Sequence, residues 1–171
     1  MVMTFRFGDN MILIDSREHA HAIRRILEQF DSAGVKHVST KLYVGDYQRL
    51  DSGLLVVDRK QNLSELVSNV CQQHERFRAE LIRAQEAGIQ IVILCEHGGK
   101  IKCLEDVRSW QNPRLQESPK AMSGERLYKV LTALIERYGV RYEFCDKYHT
   151  GKKIMEILND GRMDQVIPAD H

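Results

Sequence analysis

Two carboxylates and a lysine, Asp46, Asp58 and Lys60, stand close together in the runs Gly45-Asp46 and Val56-Val57-Asp58-Arg59-Lys60. Residues 54–60 are rich in Leu and Val and read as a strand. Side chains on a strand alternate faces, so Asp58 and Lys60 point the same way and Arg59 points the other. Two carboxylates can hold Mg²⁺, which takes oxygen ligands and keeps several waters. A lysine beside them can neutralise charge on a phosphate or orient an attacking water. The three side chains together suit hydrolysis of a phosphodiester, with Asp46 and Asp58 as metal ligands and Lys60 as the catalytic lysine. Arg59 either braces the site through a salt bridge or reaches DNA where the strand twists.

Other charged residues can complete such a site. Asp15 ends the first apolar run, where the site would open, and can equally cap a helix. Glu18 falls in a first helical turn, where the helix dipole favours an acid with or without a metal. It is the third candidate ligand. Arg17 can bind phosphate, or pair with a site carboxylate and keep it ionised. Glu65 fits a capping box opened by Asn62 and suits a site role equally well. Arg76 and Arg83 share a helix face by their spacing and either line a DNA backbone channel or form a solvated charged face. Lys100, Lys102, Arg108, Arg114 and Lys120 surround Trp110 further on. Trp110 either anchors that stretch to the core or stacks on an unpaired base.

The elements that would position these residues follow a regular order. Residues 11–14 form a short apolar strand ending at Asp15. A helix over 17–30 keeps Ile23, Ile26, Leu27 and Phe30 at helical spacing. Strands are expected over 35–43, 47–50 and 54–60, with Asp51-Ser52-Gly53 as a turn. One long helix is expected from Asn62 to about Ala87, and Gly88 ends it. Residues 89–95 are almost unbroken in apolar character, as in a strand buried on both faces. Periodicity is poor over 97–122, apart from a short strand at 101–104. Residues 125–138 form the cleanest amphipathic helix and Gly139 stops it. A strand over 140–145 and a helix over 149–158 close the pattern. One mixed α/β domain spanning 1–171 accounts for it, with a motif core over about 11–96 and a helix-strand-helix over 123–159.

Composition limits the alternatives. The 171 residues are 43% hydrophobic and 29% charged, which is ordinary for a globular domain. The net charge of +1 means that a DNA-binding surface must come from segregated positive charge. No apolar run approaches the ~20 residues of a membrane helix. Residues 1–10 lack the apolar core of a secretory signal. Cys71, Cys95, Cys103 and Cys145 have no close spacing, as expected of reduced thiols in a cytoplasmic protein.

Three ordered motifs resemble a known family. Asp15-Ser16-Arg17-Glu18, Gly45-Asp46-Tyr47 and Val57-Asp58-Arg59-Lys60 are similar to the D-x-R-E, G-D-Y and E-R-K-x-x-x-D signatures of the XPF-type structure-specific endonucleases. The resemblance runs from about Met11 to Leu158. It implies a restriction-endonuclease-like, PD-(D/E)xK mixed sheet flanked by helices. It further implies Mg²⁺- or Mn²⁺-dependent cleavage of branched DNA: a flap, fork or four-way junction. Asp58 replaces the family's glutamate, which shortens its reach by one methylene. The last signature acid falls on Ser64, and one extra residue would bring Glu65 into register. Many family members continue into a helix-hairpin-helix module, for which the residues up to His171 leave no room. Such short forms resemble those of bacteria and phages. The alternative is a branched-DNA-binding or scaffolding module whose site has decayed. The 125–138 helix would suit a homodimer or a partner protein, or simply the core of one domain.

Overall fold

The computed structural model of the protein describes residues 11–160. The expectations placed on residues 1–10 and on the chain after Asp160 lie outside the described residues.

The chain runs β1 (Met11–Asp15), α1 (Arg24–Ser32), β2 (Lys36–Thr40), β3 (Tyr47–Arg49), β4 (Ser52–Lys60), α2 (Leu63–Cys71), α3 (His74–Glu86), β5 (Gln90–Glu96), α4 (Gly124–Tyr138), β6 (Arg141–Cys145) and α5 (Thr150–Asp160). Two 3-10 turns, Leu104–Ser109 and Pro113–Gln116, lie between β5 and α4. The strands form one six-stranded sheet in the order β2-β1-β3-β4-β5-β6. β3 is antiparallel to β1 and β4, and the remaining pairs are parallel. This is a mixed sheet flanked by helices, as expected.

Alternation along β4 and β5 sorts the core into two layers. Val56, Ile91, Ile93 and Cys95 pack with Leu63, Leu66, Phe77, Leu81, Leu127 and Leu131 of α2, α3 and α4. Val57, Val92 and Leu94 pack with Ile26, Phe30, Ile154 and Ile157 of α1 and α5. β5 is therefore covered on both faces, which its unbroken apolar run requires.

Four expectations are corrected. The helix expected from Asn62 to Ala87 is two helices, α2 and α3. The amides of both Gln72 and Gln73 turn onto the Ser68 carbonyl and close α2. Residues 71–76 are all exposed, so no apolar side chain holds a continuous helix to the sheet there. The first helix starts at Arg24 and not at Arg17. The segment before it forms turns, with the Glu18 amide donating to the Asp15 carbonyl and that of Ala22 to His19. The strand expected over 35–43 narrows to Lys36–Thr40. No strand forms at 101–104; the 3-10 turn beginning at Leu104 takes its place.

The stretch between β5 and α4 is anchored at Gly124. A Cβ there would meet the carbonyl oxygens of Val107, of Trp110 at 2.7 Å and of Arg108 at 3.0 Å. Backbone cannot swing aside as a long side chain can. Gly124→Ala should therefore lower stability by about 1–3 kcal/mol, as overpacking does. For a domain of this size that is a fall in melting temperature of roughly 3–10 °C. Thermal denaturation beside Gly98→Ala, whose nearest atom would be 3.9 Å away, measures the difference. Equal melting of the two variants would show the cradle to be open.

Candidate active site

The alternation that divides the core also divides the charges at the end of β4. Asp58 and Lys60 share the face of Val56, and Arg59 shares that of Val57. The Lys60 ammonium lies 3.1 Å from Asp58 Oδ1 and 3.0 Å from Oδ2, with both side chains nearly buried. Burial opposes the charge on Lys60, but the Asp58 and Asp46 carboxylates outweigh it and raise its pKa.

Asp46 reaches the same place from the turn before β3. Gly45 makes that turn with φ +74°, and a Cβ on it would lie 3.0 Å from Val56 Cγ2. Only glycine fits both the conformation and the space. The Asp46 amide donates to the Val57 carbonyl at 2.9 Å, and its own carbonyl accepts from the Asp15 amide at 2.8 Å. Its carboxylate accepts from the Arg59 amide at 2.8 Å. Burial, and then the charges of Asp58 and Glu18, push the Asp46 pKa well above the ordinary carboxylate range. Crowded acids of this kind call for a compensating cation, and Lys60 supplies one.

On the other face Arg59 bridges two acids. Its guanidinium meets Glu18 Oε2 at 2.9 Å and Glu96 Oε1 at 3.0 Å, and is only 8% exposed. Burial works against its charge, yet its bonds and attraction to Glu18 and Glu96 raise its pKa further. The bracing alternative is thus the geometry observed for Arg59, in place of a surface free for DNA. Glu18, a candidate ligand, borders the cleft with both oxygens engaged by Arg59. Asp15 is fully buried and does not border the cleft. Its oxygens accept from the Leu42 amide and from the Arg17 amide and Nε. Burial raises its pKa, but these bonds prevail and hold it below the ordinary value. Arg17 projects into the cleft with its guanidinium 60% exposed.

The cleft between these groups measures about 320 Å³. Its far wall is α2 and α3. Asn62 caps α2 by accepting from the Glu65 amide at 2.9 Å, and Glu65 accepts in turn from the Gln61 amide at 2.7 Å. Glu65 borders the cleft, and Ser64 faces a separate cleft on another side of α2. Of the two positions in question for the last signature acid, the helix turns Glu65 toward Asp58. Arg76 also borders the cleft. Arg83 does not; its guanidinium lies 5.8 Å from the Tyr43 ring centre. Lys100 and Lys102 are exposed on the loop after β5 and do not border it. Trp110 is half-buried, packs on the core and meets the His97 ring edge-on at 6.2 Å, which is the anchoring alternative.

Among the bordering residues that escape the sequence reading are Glu80 and Asn69. Glu80 lines the cleft and accepts from the Gly45 amide at 3.1 Å. Asn69 lines it with its side-chain oxygen buried and unpartnered among the described residues. Each lies four residues beyond a cleft residue, Arg76 or Glu65, so helical spacing was the available signal.

A family model described as the ERCC4 domain matches residues 14–157. The chain belongs to the ERCC4 domain family. Every residue named above as bordering the cleft falls inside the matched span. The ERCC4 domain is that of the XPF-type structure-specific DNA nucleases, the family that the motifs resemble. Among solved structures, XPF from Aeropyrum pernix aligns with a TM-score of 0.58 and 23% identity, covering 94% of this chain and 64% of that one. A second structure, XPF from Aeropyrum pernix in complex with DNA, aligns at 0.61 and 24% identity, covering 94% and 68%. These likenesses identify the ERCC4 sheet and helices as the restriction-endonuclease-like fold. The chain thus spans under two thirds of the length of the first of these relatives. No curated protein sequence matches.

Removing the Arg59 guanidinium would leave two acids facing each other in a nearly closed space. Arg59→Gln should cost about 3–5 kcal/mol, the range for breaking a buried ion pair on one side. Chemical denaturation of both proteins is the check; a loss well below that range would show that Glu18 and Glu96 find other partners.

Proposed function

We infer that the domain is a metal-dependent, structure-specific DNA endonuclease that hydrolyses phosphodiesters at branched DNA. The observation that carries this reading is the convergence of Asp46, Asp58 and Lys60 at the mouth of a cleft whose acids are crowded enough to raise the Asp46 pKa. Family membership supports the reaction class, and the relative solved in complex with DNA supports DNA as the ligand.

Among the described residues no group of three or more His, Cys, Asp or Glu side chains is placed to hold a metal ion. An open pair of carboxylates nevertheless fits Mg²⁺ or Mn²⁺, which takes few protein ligands and completes its shell with water. Asp46 and Asp58 would hold the ion, and Glu65 and Glu80 line the same cleft. Glu18 contributes through its charge while Arg59 fixes its position. When bound, the ion polarises the phosphate and makes water a better nucleophile. A water oxygen adds to phosphorus in line, the bond to the leaving sugar oxygen breaks, and that oxygen takes up a proton. Lys60, freed in part from Asp58, neutralises the charge that grows on the phosphate oxygens. Arg17 and Arg76 hold neighbouring phosphates at the rim.

The test is cleavage of labelled flap, fork, four-way junction and plain duplex DNA with Mg²⁺ or Mn²⁺. Branched substrates should be cut in preference to duplex. Asp58→Asn and Lys60→Met should each lose at least about 10²-fold in rate, the scale of one electrostatic contributor. Binding to the fork without cutting, by wild type in either metal, would instead favour the non-catalytic DNA-binding module. Replacing Mg²⁺ by Ca²⁺ should keep binding and abolish cutting, because the looser Ca²⁺ shell positions the reactants poorly. Equal rates in the two ions would argue against an ion in the chemistry.

The position of Glu65 gives a further expectation. Glu65→Gln keeps the amide cap to Gln61 within reach yet removes the charge from the cleft. It should raise the Mg²⁺ concentration needed for half-maximal cutting by about tenfold, the scale for a group supporting a metal site from its second shell. A metal titration that leaves that midpoint unchanged would assign Glu65 to capping alone.

A further inference from the structure

The candidate active site is poor in free positive charge. Its cleft carries the acids Glu18, Asp46, Asp58, Glu65 and Glu80. Three of its basic side chains are already paired: Arg17 with Asp15, Arg59 with Glu18 and Lys60 with Asp58. Duplex DNA brings about one negative charge per 1.7 Å of its axis. A cleft of this sign can hold a cation and the few phosphates next to the reacting one, but it does not attract a polymer.

Positive charge without such pairing lies beside it, across α2. Ser64 and Ser68 are one helical turn apart and face a second cleft of about 440 Å³. Arg114, Lys120 and Arg126 supply its charge, Ser118, Gln72 and Asn112 add uncharged polar groups, and no acid among the described residues borders it. None of these three basic residues has an ion pair among the described residues. They come from separate segments: the second 3-10 turn, the bend after it and the first turn of α4. The position of Arg126 is unfavourable for folding alone, since the positive end of a helix dipole disfavours a cation. An anion in the cleft would relieve that cost.

We propose that this second cleft binds the sugar-phosphate backbone of the DNA arm that leaves the active site, so that α2 is the ridge around which a branched substrate divides. The proposal rests on reading the neighbouring cleft as a nuclease site. A helix is about 10–12 Å across with its side chains. That equals about three base-pair rises of 3.4 Å, so one DNA molecule can touch both clefts. The serine hydroxyls and basic side chains suit phosphate oxygens and leave the bases unread. A straight duplex lying in one cleft must cross the ridge to enter the other, whereas diverging arms need not. The basic cleft therefore favours branched over linear DNA without contacting the branch.

The experiment is equilibrium binding of a labelled fork and a matched duplex, in Ca²⁺ and over a range of salt concentrations. Wild type is compared with the triple variant Arg114→Gln, Lys120→Gln, Arg126→Gln, and Mg²⁺-dependent cutting is followed in parallel. The triple variant should bind the fork about tenfold or more weakly. Its salt slope should fall by about 3, because each lost phosphate contact removes about 0.9. Its preference for fork over duplex should shrink. Unchanged slope and affinity, with wild type cutting normally, would overturn the basic cleft and leave the nuclease reading intact. A fork that binds through these residues but is never cut would overturn the nuclease reading and leave the cleft standing. No DNA binding at all by wild type would overturn both. If the triple variant melts early, Arg126→Gln alone replaces it, with an expected fall in slope of about 1.

Discussion

Arg59 lies between Glu18 and Glu96 with almost no contact with water, and the shape of the cleft depends on that pairing. Its guanidinium joins the turn after β1 to the end of β5, while its backbone amide holds the Asp46 carboxylate. Desolvating a guanidinium is costly, and only close acids with good geometry offset it. One residue thereby fixes two acids by its side chain and a third by its main chain. Asp58 and Lys60, its immediate neighbours in the strand, project from the opposite face and pair with each other.

That separation by face gives the site its electrical character. Cations are used within the candidate cleft to hold acids in place, so the cleft keeps a surplus of negative charge. The near-zero net charge of the chain, +1, conceals an uneven distribution. Acids gather where β4 ends, and basic side chains gather across α2. A DNA-handling surface can therefore exist without the overall basic excess usual in such proteins. Steering of a substrate would come from the second surface, and chemistry from the first.

Sequence was most readable where a single periodicity governed a segment. β4 and β5 show their faces through alternation and continuous apolar character, and the placement of Asp58 and Lys60 on one face follows directly. Gly139, in the left-handed region with φ +67°, ends α4 where the sequence places it. The break between α2 and α3 was less readable because each half keeps helical spacing. Only the wholly polar run over 71–76 betrays the gap. Glu80 could not be assigned by motif, because what brings it to the cleft is the Gly45 amide, over thirty positions away in sequence. The side on which Ser64 lies depends on the angle at which α2 leaves β4, which spacing alone leaves open.

The pairing of β4 with its neighbours has a consequence for how the protein matures. β4 joins β5 with Asp58 opposite Ile93, and joins β3 with Val57 opposite Tyr47. A slip of one residue would exchange its two faces. Arg59 would then change faces and lose Glu18 and Glu96, and Asp58 and Lys60 would be driven into the apolar layer of α1 and α5. Such a misaligned chain would lose its core and its chemistry in the same event. The shared face of Asp58 and Lys60 and the packing of both core layers therefore stand or fall together on one strand register.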